Sequence, residues 1–337
     1  MQNGSGRTVY ANNGHIEMEN NMVQTKEFET YKGISPVPAD FDEYWNRALS
    51  ELEKTDRNVS VTEANFKCPN TKCYDLYYTG VGGARIYAKY LCPARVENKI
   101  PAMILFHGYS DSSGDWFDKL SFVQAGFAVF IMDCRGQGGK SEDIGGVKGN
   151  TLNGHFIRGL SDDNPDKLLY RSIYLDAVEL VKIAMDMDIV DNDRIYVNGG
   201  SNGGALAVVC AALVPDVKKA AIMYPFLSDF KKVMEIGETS GAYAELKEYF
   251  HRFDPRHECE DIIFNRLGYI DVKNLAPRIK AEVLMFTGMT DTCCPPITQY
   301  AVYNNMKCKK QHILYPEFGH EGLRGAADII LQFFIKE

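Results

Sequence analysis

The chain has 337 residues, 45% hydrophobic and 24% charged, a balance that can bury a substantial core and excludes disorder, collagen-like repeats and a small disulfide scaffold. Its 45 acidic residues outnumber 37 Lys and Arg, giving −8, and no basic block offers a surface for phosphate backbones, so nucleic acid is excluded as a partner. No apolar run approaches the roughly 20 residues that span a bilayer, and Met1 to Glu27 is polar and Asn-rich without the apolar stretch of a secretory signal, which points to the cytoplasm.

The length, more than twice the usual figure of about 150 per domain, leaves one domain or two open. Residues 1–35 read as a polar lead-in, its first ~30 residues tied down weakly or not at all. Phe41, Tyr44, Trp45, Leu49 and Leu52 then recur at helical spacing over Ala39 to Leu52. Asp75 to Leu91, broken by Gly80, Gly82 and Gly83, predicts antiparallel strands joined by a turn. From residue 100 short apolar runs alternate with helical patterns. Strands are expected at Ala102 to Phe106, Phe127 to Met132, Arg194 to Asn198, Ala220 to Tyr224, Val283 to Phe286 and His312 to Tyr315. Helices are expected at Trp116 to Ala125, Lys167 to Met187, Ala205 to Leu213 and Gly322 to Lys336. This rhythm predicts an α/β fold with a mostly parallel sheet covered on both faces. It lapses over residues 225–276, where Phe226 to Glu235 and Tyr243 to Phe253 suggest a helical insertion, either a pocket-building lid or a plain cover for a sheet edge.

Asn198-Gly199-Gly200-Ser201-Asn202-Gly203-Gly204 lies directly between a predicted strand and a predicted helix, the context of a nucleophile elbow. There the glycines permit close backbone approach and Ser201 meets the positive end of a helix dipole. The alternative is a glycine-rich turn whose serine only caps the helix. A serine nucleophile needs a base and an orienting acid. Of the later histidines, His251 and His257 fall in the insertion and His312 opens a strand. His320 alone sits in a loop just after a strand, where active-site loops of open α/β sheets gather. Among the aspartates between Ser201 and His320, Asp291 closely follows a buried strand; Asp271 is the fallback. The order Ser, Asp, His is that of an α/β-hydrolase. The oxyanion would be met by the backbone N–H groups of Asn202 and of Tyr109, in the loop after the Ala102 strand. His107 reads as structural.

Other motifs carry less. Gly139-Lys140-Ser141 lacks the first glycine of a P-loop, Gly136-Gln137-Gly138 lacks the third glycine of a dinucleotide fingerprint, and no His/Asp/Glu cluster has metal spacing. The nine cysteines show no C-x-x-C, and Cys68 and Cys73 have no histidine partners, so they read as free, mostly buried thiols. Cys293 and Cys294, beside Asp291, read as packing residues near the site. No cofactor and no metal are expected.

Taken together, Pro38-Ala39-Asp40-Phe41-Asp42-Glu43-Tyr44-Trp45, His107-Gly108-Tyr109, Asp133-Cys134-Arg135-Gly136-Gln137-Gly138, the Ser201 elbow, Asp291-Thr292-Cys293-Cys294-Pro295-Pro296 and Gly319-His320-Glu321 resemble the acetyl xylan esterase and cephalosporin C deacetylase family, carbohydrate esterase family 7. The resemblance runs from about Pro36 to the C-terminus. It implies a single α/β-hydrolase domain over 36–337, with the 225–276 insertion. It also implies deacetylation of xylo-oligosaccharides and cephalosporins by a cytoplasmic homo-oligomer, typically a hexamer. By motif it makes Ser201 the nucleophile, Asp291 the acid, His320 the base, and Tyr109 and Asn202 the oxyanion donors. Asn202 departs from the glutamine usual in the family, which leaves the backbone N–H intact and any side-chain role open. Arg135, Gln137 and Glu321 are expected to be structural near the site, with Arg135 and Glu321 holding loops through an internal ion pair. The competing readings are a general carboxylesterase or serine peptidase on the same scaffold, and a non-catalytic hydrolase-fold binding protein.

Overall fold

Helix α1 (Phe41–Leu52) turns Phe41, Tyr44, Trp45, Ala48 and Leu52 inward, the stripe that its spacing dictates. The Trp45 indole N–H donates to Tyr269 O at 3.0 Å and its ring stacks on Tyr174, so the helix is fixed to two later parts of the chain. The computed structural model describes residues 26–144, 153–238 and 241–336. Most of the lead-in lies outside these residues. Within them the chain is anchored from Tyr31 onward: Tyr31 donates to Asp229 Oδ2 at 2.6 Å, and the N–H groups of Ile34 and Ser35 donate to Oδ1 at 3.0 and 2.7 Å.

Strands β1 (Ser60–Glu63), β2 (Thr71–Thr79) and β3 (Arg85–Pro93) form an antiparallel meander. A 3₁₀ turn at Val81–Gly83 joins the last two, with Gly82 and Gly83 at φ 73° and 91°. The alternating part follows: β4 (Ile100–Phe106), α2 (Leu120–Gln124), β5 (Ala128–Met132), α3 (Leu169–Met185), β6 (Val190–Gly200), α4 (Asn202–Leu213) and β7 (Val217–Met223). Between β7 and the next strand run α5 (Phe230–Ile236), α6 (Ala244–Phe253), α7 (Glu260–Leu267) and the short α8 (Val272–Leu275). The chain then makes β8 (Glu282–Gly288), α9 (Pro296–Asn305), β9 (Lys310–Tyr315) and α10 (Ala326–Ile335).

All nine strands make one sheet in the order β1-β2-β3-β5-β4-β6-β7-β8-β9, and from β5 through β9 every pairing is parallel. One face packs against α1, α3, α4 and the helices that precede β8; the other carries α2 and α10. Helix α4 is buried along its whole length. This is the α/β-hydrolase fold, a mostly parallel sheet flanked by helices. Among the described residues no helix is long and apolar enough to cross a membrane.

Candidate active site

The parallel strands all point their carboxyl ends to one edge, and the loops leaving β4, β6, β8 and β9 meet there. At the end of β6 the chain turns so tightly that a Cβ on Gly199 would lie 2.2 Å from Gly203 O, and one on Gly203 would lie 2.2 Å from Phe106 O. Only glycine fits either position. The turn places Ser201 at φ 57°, ψ −120°, directly ahead of α4. Backbone bonds hold it: its N–H donates to Met223 O at 3.0 Å, and its carbonyl accepts from Ala205 and Phe226, both at 3.0 Å.

His320 Nε2 stands 3.0 Å from Ser201 Oγ, and its Nδ1 is 2.9 Å from Asp291 Oδ2. Asp291 is buried and its other oxygen accepts from the Cys293 and Cys294 N–H groups, 2.8 Å each. The loops bearing Asp291 and His320 are stitched together, with Met289 N–H donating to Tyr315 O and Thr290 N–H to Phe318 O. Burial works against charge on His320, but the hydrogen bond and charge of Asp291, with Cys293, outweigh it and raise its pKa above the ordinary histidine value. Asp271, the fallback acid, is elsewhere, capping α8 and accepting from the Asp229 N–H. His257 pairs with Glu260, and the half-buried His312 lies 2.8 Å from Thr287 Oγ1.

The loop after β4 faces the head of α4. Asn202, the first residue of that helix, donates from Nδ2 to His107 O at 3.3 Å and accepts the Tyr170 hydroxyl at Oδ1, 2.8 Å. The shorter amide thus ties the Tyr109 loop to the nucleophile turn and to α3. Gln137 Oε1 accepts from Ser110 N–H at 2.9 Å, bracing the same loop from β5, and His107 Nε2 accepts from Cys134 N–H. The Tyr109 hydroxyl bonds to Glu245 of α6 and accepts from His155 N–H at 3.1 Å.

The expected pairing of Arg135 with Glu321 does not occur. Arg135 makes two 2.6 Å bonds to Asp176 of α3, both partners essentially inaccessible, while Glu321 is exposed and caps its own loop by accepting from Gly319 N–H. The physical reason is depth: Arg135 lies beneath the sheet edge facing α3, whereas Glu321 is at the rim.

The model of the family described as acetyl xylan esterase matches residues 18–337. The chain belongs to the acetyl xylan esterase family. An acetyl xylan esterase 1 of known structure from Thermoanaerobacterium sp. JW/SL YS485 is 54% identical, with TM-score 0.88, covering 92% of this chain and 97% of that one. A second acetyl xylan esterase, from Paenibacillus sp. R4, is 32% identical with TM-score 0.86, covering 92% and 98%. The acetyl esterase Axe7A of Xylanibacter ruminicola is 27% identical over 296 residues, 86% of this chain, and the chain spans 64% of that relative's length.

Several polar residues that organise this acetyl xylan esterase family site were not picked out from sequence. Gln299 of α9 donates to Asp291 Oδ2 at 3.3 Å and accepts from Thr287 Oγ1 at 2.8 Å. Pro295-Pro296 was its available signal, because proline is favoured at the first turn of a helix. Asp176 could have been noticed as a carboxylate among the mostly apolar buried residues of α3. Glu245 had no sequence signal. Cys293, half-buried at the site's edge, has its thiol pKa lowered to about 6 by a hydrogen bond from Cys294 and by His320, against the opposing effect of burial. A broad concavity lined by Arg95, Lys99, Arg194 and Lys218 opens at the other end of the sheet, at the amino ends of the strands.

Proposed function

We propose that the chain is a serine acetylesterase that removes O-acetyl groups from acetylated xylo-oligosaccharides through an acetyl-enzyme, without a cofactor. The observation that carries this reading is the continuous hydrogen-bonded row Ser201, His320, Asp291 at the head of α4. Ser201 Oγ attacks the acetyl carbonyl while His320 Nε2 takes its proton. Asp291 holds the ring by Nδ1–H and stabilises the imidazolium. The backbone N–H groups of Tyr109 and Asn202 receive the oxyanion. The C–O bond to the sugar then breaks, and the leaving alkoxide takes the proton from His320. Water repeats the sequence on the acetyl-enzyme, releasing acetate and restoring Ser201.

The family match supports the choice of acetyl esters over the carboxylesterase and peptidase alternatives, and cephalosporin C enters as a second acetyl ester of the same kind. The test compares p-nitrophenyl acetate, butyrate and octanoate with acetylated xylo-oligosaccharide, cephalosporin C and a peptide substrate. Acetyl esters should turn over fastest, and Ser201→Ala should lose at least about a thousandfold in kcat with an unchanged melting curve. Wild-type-like turnover by Ser201→Ala would overturn the mechanism. A fluorophosphonate probe that fails to label Ser201 would revive the non-catalytic reading. The proposal extends to a cytoplasmic homo-oligomer, a hexamer by family resemblance, tested by light-scattering mass against 37.9 kDa per chain.

A further inference from the structure

The side chains of Cys293 and Cys294 have no part in the acyl transfer above. Only their backbone N–H groups serve Asp291. Cys294 Sγ is buried within hydrogen-bonding reach of Ser201. Cys293 lies at the rim against the turn before α6, where a Cβ on Gly241 would stand 3.4 Å from its sulfur. The two sulfurs and a ring nitrogen of His320 all lie within 4.8 Å of one another. Because Nδ1 is held by Asp291, the nitrogen available to a ligand is Nε2, the atom that faces Ser201 Oγ.

We propose that Cys293 Sγ, Cys294 Sγ and His320 Nε2 form a binding site for a thiophilic divalent cation, zinc or cadmium, which shuts the enzyme off by capping the histidine. Zn–S bonds of about 2.3 Å and Zn–N bonds of about 2.0–2.1 Å at tetrahedral angles set ligand atoms roughly 3.5–3.8 Å apart. The two sulfurs, within 4.8 Å of one another, therefore need to close by no more than about 1 Å, and Cys293 is the less buried of the pair. Two thiolates and an imidazole select soft ions over magnesium or calcium. Asp291 behind His320 repeats the carboxylate–histidine arrangement that orients metal-bound imidazoles. Binding forms two metal–sulfur bonds and releases to solvent the proton that each sulfur still carries. A cation on Nε2 takes the lone pair that must accept the Ser201 proton. The scattered spacing hid this group in the sequence, since the loop after β9 alone brings His320 to the cysteine pair.

The inhibition rests on His320 acting as the base; the binding does not, and the two are read separately. The full chain is titrated with cadmium in thiol-free buffer, following the ultraviolet sulfur-to-cadmium charge-transfer absorbance and the rate on p-nitrophenyl acetate. Wild type should develop the band with one equivalent and lose activity in parallel, with EDTA restoring the rate and magnesium doing neither. Cys293→Ala and Cys293→Ser, each scored against its own metal-free rate, should require at least about tenfold more cadmium for both effects. Cys259→Ala, which alters an exposed thiol far along the chain, should respond as wild type does. Undiminished sensitivity in both Cys293 variants, or a saturated band with full activity, would overturn the proposal. If metal-free wild type fails to cleave acetyl esters, the esterase reading falls and the band alone decides the site.

Discussion

Ser201 occupies a backbone region that costs a non-glycine residue about 1–3 kcal/mol, and the bonds from its peptide to Met223, Ala205 and Phe226 offset that cost. The strain aims Oγ at His320, and in the proposed mechanism the ionisation of that ring decides when the serine can be activated. As the proposed base His320 must be neutral, and its pKa stands above the usual histidine value of about 6.5, chiefly because Asp291 overrides the effect of burial. The acidic limb of kcat/KM is therefore expected above pH 6.5. Asp291→Asn removes the raising partner, so burial should draw the limb toward lower pH while kcat drops by roughly 10⁴. A pH–rate profile of both proteins from pH 5 to 9 checks this; an unmoved limb would assign it to another group. Ser201 was legible from sequence because it directly follows a buried strand, and His320 because its loop lies between the last strand and the closing helix. Gln299 was not, because its role depends on α9 folding back over Asp291.

At the scale of elements, the site is a meeting of loops braced from below. Arg135 leaves the end of β5 and reaches Asp176 in the middle of α3, a pair with both side chains out of water. Such a pair adds little over an apolar substitute, but losing one partner strands the other charge. Arg135→Met should thus lower stability by roughly 3–5 kcal/mol, and adding Asp176→Leu should recover most of it. Urea midpoints for the two variants decide between this and a purely surface role. The buried strands β4 to β8 were readable because continuous apolar runs leave few other options. Helix α9 was missed because its Cys293-Cys294-Pro295-Pro296 lead-in reads as a loop, although the prolines mark its first turn. Strand β1, four residues with three exposed, carries no alternation to read. Helices α7 and α8 lie in the aromatic, charged stretch before β8, where neither period dominates.

Across the whole molecule, Asp271 joins three distant parts. It accepts from the Asp229 N–H and caps α8 through the Lys273 N–H, while Lys273 Nζ donates to Ser35 O at 2.9 Å. Burial raises its pKa to about 7, against the lowering effect of Lys273. The folded chain therefore keeps this proton up to about pH 7, whereas the unfolded chain releases it near pH 4. Its contribution to stability is complete below about pH 4 and is lost as pH rises toward 7. Melting temperatures should show wild type losing ground to Asp271→Asn across that window, and parallel curves would count against it. The Asp229 anchor on residues 31–35 was not legible in the sequence: three contacts to one buried carboxylate leave no mark on local composition.

The order in which the site is assembled along the chain has a consequence for biosynthesis. Ser201 and its elbow leave the ribosome 119 residues ahead of His320, and β9, which leads to that histidine, is the outermost strand and pairs only with β8. At translation rates of about 5–20 residues per second the delay is on the order of ten seconds. Throughout it the nascent polypeptide carries a serine with no proton acceptor, so stalled or clipped products that end before residue 320 should be inert toward esters.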